Sequence, residues 1–158
     1  MTHIVFVAML LTSTAAQQPP LQHGQHHADD RARHGMGFDQ QTTTHHFLLK
    51  PDGGVIEVTA KPEAAAATVD QIRTHLQHIA GAFAKGDFAL PMFIHSTEPP
   101  GVATMKARNA TMTFSYDIRP RGGRVLIHTK DAEALAAVHE FLRFQIREHR
   151  TGDPLDPK

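Results

Sequence analysis

The stretch that decides the fold covers residues 36–61 and reads MGFDQQTTTHHFLLKPDGGVIEVTAK. A second stretch, residues 105–130, reads MKARNATMTFSYDIRPRGGRVLIHTK and aligns with the first without a gap, 69 positions later. Seven of the 26 aligned positions are identical. Chance matching at about one position in twenty leaves only one or two identities, so the pattern indicates an internal duplication.

Each copy has the pattern of a β-hairpin followed by a helix. Alternating apolar residues surround Pro51-Asp52-Gly53-Gly54, which predicts a four-residue hairpin loop. The predicted strands cover about residues 42–50 and 55–60 in the first copy, and 111–119 and 124–129 in the second. Apolar residues at helical spacing predict one helix over residues 62–84 and another from an Asp131 N-cap to about residue 149. An extended piece is expected between the copies, at residues 92–95.

The sequence therefore predicts an α+β fold: a duplicated strand-strand-helix unit that forms a four-stranded antiparallel sheet with two helices on one face. The repeats cover about residues 36–84 and 105–149, within a single domain of residues 34–150. Residues 151–158 are expected to form a loose tail.

The N-terminus has the pattern of an exported protein. An apolar run of eight residues is followed by small residues, which predicts a signal peptide over residues 1–16 and a periplasmic or extracellular location. Residues 17–33 predict a disordered, histidine-containing leader. The chain has no cysteine, which excludes thiolate metal sites, and its zero net charge gives no electrostatic footprint for nucleic acid. It has 13 histidines, the commonest metal-ligand residue, so a metal site is the first functional hypothesis.

At two aligned positions the first copy has histidine and the second has phenylalanine. His45 aligns with Phe114, and His75 aligns with Phe144. The strand pairing directs His45 to the covered face, and His75 lies on the inner shoulder of the first helix. Because buried imidazole needs polar partners, two such replacements on facing elements predict a polar pocket confined to the first copy.

Further histidines extend this candidate site. His78 lies one turn after His75, and His34 precedes a Gly-Met-Gly loop that is able to fold over the hairpin. His46 completes the set of candidate metal ligands, which is His45, His75, His78, His34 and His46. Three imidazoles with an open position suit zinc or copper, and Met36 offers a thioether to Cu(I). Haem is a further alternative, without covalent attachment because no C-x-x-C-H occurs. The competing interpretations are structural histidines and a metal-free pocket for a small molecule.

The outer face of the sheet carries a second polar group. His46, Glu57, Asp117 and His128 share this face, which is compatible with acid–base chemistry, a solvated surface, or a homodimer interface around Leu48.

The segments His34-Gly-Met-Gly-Phe-Asp-Gln, Thr43-Thr-His-His-Phe and His139-Glu-Phe-Leu-Arg-Phe-Gln-Ile resemble a family of small exported bacterial proteins. The resemblance covers nearly all of the chain after residue 16. Some members carry the label aspartate carbamoyltransferase, but the phosphate loop of true transcarbamoylases has no counterpart in this sequence. The resemblance implies export and a shared core, and it assigns no catalytic residue, so whether the protein is an enzyme stays open.

Overall fold

The computed structural model describes residues 33–158, and the predicted signal peptide and nearly all of the predicted leader lie outside them. The strands are β1 (Thr43–Lys50), β2 (Gly53–Ala60), β3 (Met112–Arg119) and β4 (Gly122–Thr129). The helices are α1 (Ala66–Ala84), α2 (Ala89–His95), α3 (Val102–Ala107) and α4 (Ala132–His149). Short 3-10 turns, Gln40–Thr42 and Asn109–Thr111, precede β1 and β3, and residues 33–36 form a helical turn.

The four strands form one open antiparallel sheet in the order β1-β2-β4-β3, which confirms the predicted α+β fold. The two hairpins meet at β2 and β4, where Gly53 pairs with His128 and Thr59 pairs with Gly122. An offset of 69 residues converts the first of these pairs into the second. The junction therefore has the twofold relation that the duplication implies.

The predicted four-residue hairpin loop is wrong. Lys50 pairs with Gly53, so the turn contains only Pro51 and Asp52. The register differs from the predicted one by two residues, so every side chain stays on its predicted face. Gly53 lies within the strand, and the position requires glycine because a Cβ there would lie 1.9 Å from the carbonyl oxygen of Ile127 on β4.

Both long helices cover the same face of the sheet, and each packs mainly on the hairpin of the other copy. Helix α1 lies on β3 and β4, whereas α4 lies on β1 and β2. The stripe predicted for α1 is buried at Ile72, Leu76, Ile79 and Phe83, and the one for α4 at Val138, Leu142 and Ile146. The main contacts of α1, which carries His75, are therefore with β3 and β4 and not with β1, which carries His45.

The connector between the copies is helical, which corrects the predicted extended piece at residues 92–95. Helix α2 begins after Asp87, whose carboxylate accepts a 2.9 Å hydrogen bond from the Ala89 backbone N–H. Pro91 lies in the first turn, where its missing N–H has no helical partner to lose. Helix α3 then buries Val102 and Met105 completely against the core.

The C-terminal tail is attached to the sheet rather than loose. Asp153 accepts 2.9 Å hydrogen bonds from the Phe47 backbone N–H and from His46 Nδ1. The Lys158 backbone N–H donates to the Leu49 carbonyl oxygen at 3.3 Å. The tail therefore satisfies polar groups along the free edge of β1, an edge that would otherwise invite pairing with another chain.

Candidate functional site

Four histidines from four elements line one cavity of about 60 Å³ beneath the sheet. His45 comes from β1, His75 from α1, His95 from the end of α2 and His149 from the end of α4. Most of the other lining residues are apolar, among them Met36, Phe47, Leu76, Ile79, Phe83, Leu90, Ile94 and Phe141. Imidazole nitrogens are thus concentrated in a small and otherwise apolar space.

Three of the four imidazole rings in the cavity are close neighbours. The ring centroids of His45 and His149 are 5.5 Å apart, and those of His149 and His95 are 5.3 Å apart. Phe38 lies beside both predicted site residues, with its ring centroid 6.1 Å from that of His45 and 5.5 Å from that of His75. The structure therefore brings His45 and His75 to one site.

Three of these histidines are held in the neutral form. Desolvation by burial lowers the pKa of His45 from its ordinary value to about 4, and electrostatic repulsion from His46 makes a smaller contribution. Burial also lowers the pKa of His75 to about 4, and repulsion from His45 and His78 adds to it. For His149, burial and the neighbouring His45 and His95 lower the pKa to about 3. Neutral imidazole is the form that carries a lone pair for a metal or a hydrogen-bond donor.

Two buried nitrogens at the cavity have no hydrogen-bond partner among residues 33–158. They are Nε2 of His45 and the amide Nε2 of Gln145. The amide oxygen of Gln145 accepts a 3.1 Å hydrogen bond from Nε2–H of His95. Buried polar atoms are nearly always satisfied, so these two nitrogens point to a missing occupant of the cavity.

His34 and His78 lie outside the cavity, in an open groove on the other side of His75. The groove is formed by residues 34–37 and by the exposed side of α1 from Asp70 to His78. His34 and His78 are both exposed, whereas His75 is half-buried. His75 thus joins two sets of histidines that face different spaces.

His46 points to the opposite face of β1 and does not reach the cavity. Its Nδ1 lies 2.9 Å from the Asp153 carboxylate, which in turn accepts a 2.6 Å hydrogen bond from the Thr151 hydroxyl. The other three polar groups of the outer face also have separate partners: Glu57 with Arg119, Asp117 with Arg124, and His128 with Asp52. The four residues do not converge on one acid–base site.

Sequence reasoning missed His95 and His149. The sequence pattern does not assign His149 to the site, and the extended piece predicted at residues 92–95 does not bring His95 to it. No local pattern marks either residue, because both reach the cavity only through the packing of α2 and α4. His139 has a structural role, since its Nε2–H lies 2.9 Å from the Lys50 carbonyl oxygen and 3.1 Å from that of Gly53.

Within residues 33–158, no group of three or more histidine, aspartate or glutamate side chains is already arranged to hold a metal ion. No helix in the same part of the chain is both long enough and apolar enough to cross a membrane.

No family model matches the chain, and no curated protein or solved structure matches it significantly. The resemblance to small exported bacterial proteins, and the label that some of them carry, therefore stay predictions.

Proposed function

We propose that the cavity binds one transition-metal ion, copper or zinc, through His45, His75 and His149. The observation that carries this proposal is the concentration of neutral imidazoles in one small apolar cavity. Imidazole is a ligand for both metals and must be neutral to bind them. His95 contacts His149 and holds the Gln145 side chain, which suits an outer role that orients the ligands.

The size of the cavity supports an ion rather than an organic cofactor. Its volume of about 60 Å³ is well below the roughly 300–1,000 Å³ of typical sites for organic molecules. A haem macrocycle does not fit this volume. A single ion with one or two water molecules does, since one water needs on the order of 10–15 Å³.

The spacing of the rings also supports a shared ion. With metal–nitrogen bonds near 2 Å, two imidazoles bound tetrahedrally to one ion have ring centroids about 5 Å apart. The ring centroids of His45 and His149 are 5.5 Å apart with planes 21° apart, so the rings must turn for their nitrogens to face one ion. His75, which lines the same cavity, would be the third ligand, and the fourth position would be left for water, as in catalytic zinc sites.

The test is metal analysis and titration of protein made without a histidine tag. We expect one equivalent of Zn(II) or Cu(I) to bind, and His45→Ala or His149→Ala to weaken binding by more than about tenfold, since loss of a mere outer partner already costs 10–100-fold. His128→Ala, on the outer face of the sheet, is the matched control and leaves the affinity unchanged. Substoichiometric metal that both cavity variants leave unaltered refutes the proposal.

A metal-free site for a very small polar molecule is the second candidate. The unpartnered amide nitrogen of Gln145 favours it, because this group donates hydrogen bonds and does not bind metals. Gln145→Leu distinguishes the two candidates: it should abolish binding of a small hydrogen-bond acceptor, measured with chelator present, and leave ion binding intact.

The described contacts give no support to a homodimer through the outer face. Leu48 shares a surface depression with Pro154, Asp156 and Lys158, so the tail of the same chain already occupies part of that surface. Export is retained as a prediction, and the mass of the secreted protein would show whether cleavage follows Ala16.

A further inference from the structure

The groove that holds His34 and His78 shares a wall with the cavity. Two residues, Met36 and His75, line both spaces. Met36 is 6% exposed, and His75 is half-buried. A species that binds in the groove is therefore separated from the cavity by one thioether and one imidazole.

The histidines form a series from solvent to interior. His34 and His78 are exposed in the groove, His75 lies in the wall, and the Nε2 atom of His45 is fully buried. A bare ion does not cross an apolar wall without ligands, because removing a charge from water is costly even after the protein relaxes around it. Ligands at each stage would replace water stepwise.

We propose that the groove is the access site through which a metal ion reaches the cavity. His34 and His78 capture the hydrated ion, and His75 and Met36 transfer it inward to His45. Each step exchanges one ligand for another: a water or an imidazole leaves as the next donor binds, and the charge of the ion does not change. This inference rests on the proposed function, since it needs an ion that binds in the cavity.

Met36 makes the path selective for Cu(I). A thioether is a soft donor that binds Cu(I) well and Zn(II) poorly, so the residue assists the transfer of copper more than that of zinc. The alternative role of Met36 is to fill the core. Met36→Leu keeps a similar apolar volume and removes the sulfur, so it separates the two roles.

The first experiment measures the rates and the equilibrium of ion binding by stopped flow. Tag-free protein, the His34→Ala/His78→Ala variant and the His128→Ala control are mixed with Cu(I) held reduced by ascorbate, or with Zn(II). An access path lowers the barrier in both directions, so the double variant should bind and release the ion about tenfold more slowly. A change of this size is within the variation in association rate among mutants of one binding interface. Its dissociation constant should stay within a factor of about two, because an access path does not alter the end states.

The outcomes separate the two proposals. A higher dissociation constant in the double variant would show that His34 and His78 are ligands of the final site. Unchanged rates would show that they take no part in ion binding. Either result overturns the access path. Failure of the unaltered protein to bind any ion overturns the proposed function and the path together.

The second experiment compares Met36→Leu with the unaltered protein in the same assay. We expect slower loading of Cu(I) and unchanged loading of Zn(II). Equal effects on both ions overturn the role assigned to the thioether.

Discussion

Acidification should destabilise this protein well above the pH at which carboxylates titrate, because three half-buried histidines at one site are held neutral. In the unfolded chain their pKa is near 6.5, whereas in the folded protein the pKa is about 4 for His45 and His75 and about 3 for His149. Below pH 6.5 the unfolded chain therefore binds more protons than the folded protein. The free energy of unfolding is therefore highest above pH 6.5 and decreases as the pH falls from 6.5 towards 4.

The magnitude follows from the pKa shifts. At pH 5 each histidine lies about 1.5 units below its unfolded pKa, which corresponds to about 2 kcal/mol of lost stability per group. Repulsion among the three histidines contributes to more than one of the shifts, so the combined loss is about 4–6 kcal/mol rather than a strict sum. That loss is comparable with the whole free energy of unfolding of a small domain, about 5–15 kcal/mol.

The assay is urea unfolding at pH 7, 6 and 5 with a chelator present, so that bound metal does not contribute. His75→Phe introduces the residue that the second copy has at the aligned position, and it should remove about a third of the pH dependence. His128→Gln, an exposed histidine on the outer face, should leave the pH dependence unchanged.

One result refutes the reasoning. If the free energy of unfolding changes by less than about 1 kcal/mol between pH 7 and pH 5, the three histidines are not held neutral by the fold. The lowered pKa values of Asp153 and Asp131 do not interfere, because carboxylates lose their stabilising effect only at lower pH.

Three further predictions concern stability, and urea unfolding at pH 7 checks each of them. Asp153→Ala should cost roughly 2 kcal/mol because it releases the tail from β1, whereas the exposed Asp156→Ala should stay within about 0.5 kcal/mol; equal effects would contradict the role of the tail. Gly101→Ala should cost about 3 kcal/mol or more, because φ is +84° and the new Cβ would lie 2.1 Å from a carbonyl oxygen of α4. Gly37→Ala, with φ of +77° and no atom within 4 Å, should cost only about 1 kcal/mol, so a similar loss at both glycines would refute the packing argument. Asp131→Ala should cost about 1 kcal/mol because its carboxylate accepts two backbone N–H bonds at the start of α4, and an unchanged stability would contradict the cap.

The hairpins, the two long helices and the sheet were predictable because they follow from periodicity and from a repeat within the chain. The turn was not, because the local pattern at Gly53 and Gly54 predicts loop residues. Their role is close contact: a Cβ on Gly54 would lie 2.2 Å from Leu142 Cδ1 on α4. Contacts of this kind join elements far apart in the sequence, and a local pattern does not contain them.

The candidate site was predictable in part for the same reason. Comparison of the copies identified His45 and His75, because each replaces a phenylalanine of the other copy. His95 and His149 have no such mark, since one lies in the connector and the other aligns with Ala80. They join the site through the packing of α2 and α4, which only the folded chain shows.

The crossed placement of the helices has a consequence for how such a protein arose. Helix α1 belongs to the first repeat but covers mainly the hairpin of the second, and α4 of the second repeat covers mainly the hairpin of the first. A single repeat cut from the chain would therefore have no helix over its own hairpin. Two copies of such a repeat would regain it by exchanging helices, so a symmetric dimer of single repeats would have the same contacts. Within one polypeptide the two halves differ: Phe114 of the second copy packs with Phe83 and Phe88, whereas the aligned His45 of the first copy lines the cavity. A dimer of identical subunits has no means of making that distinction.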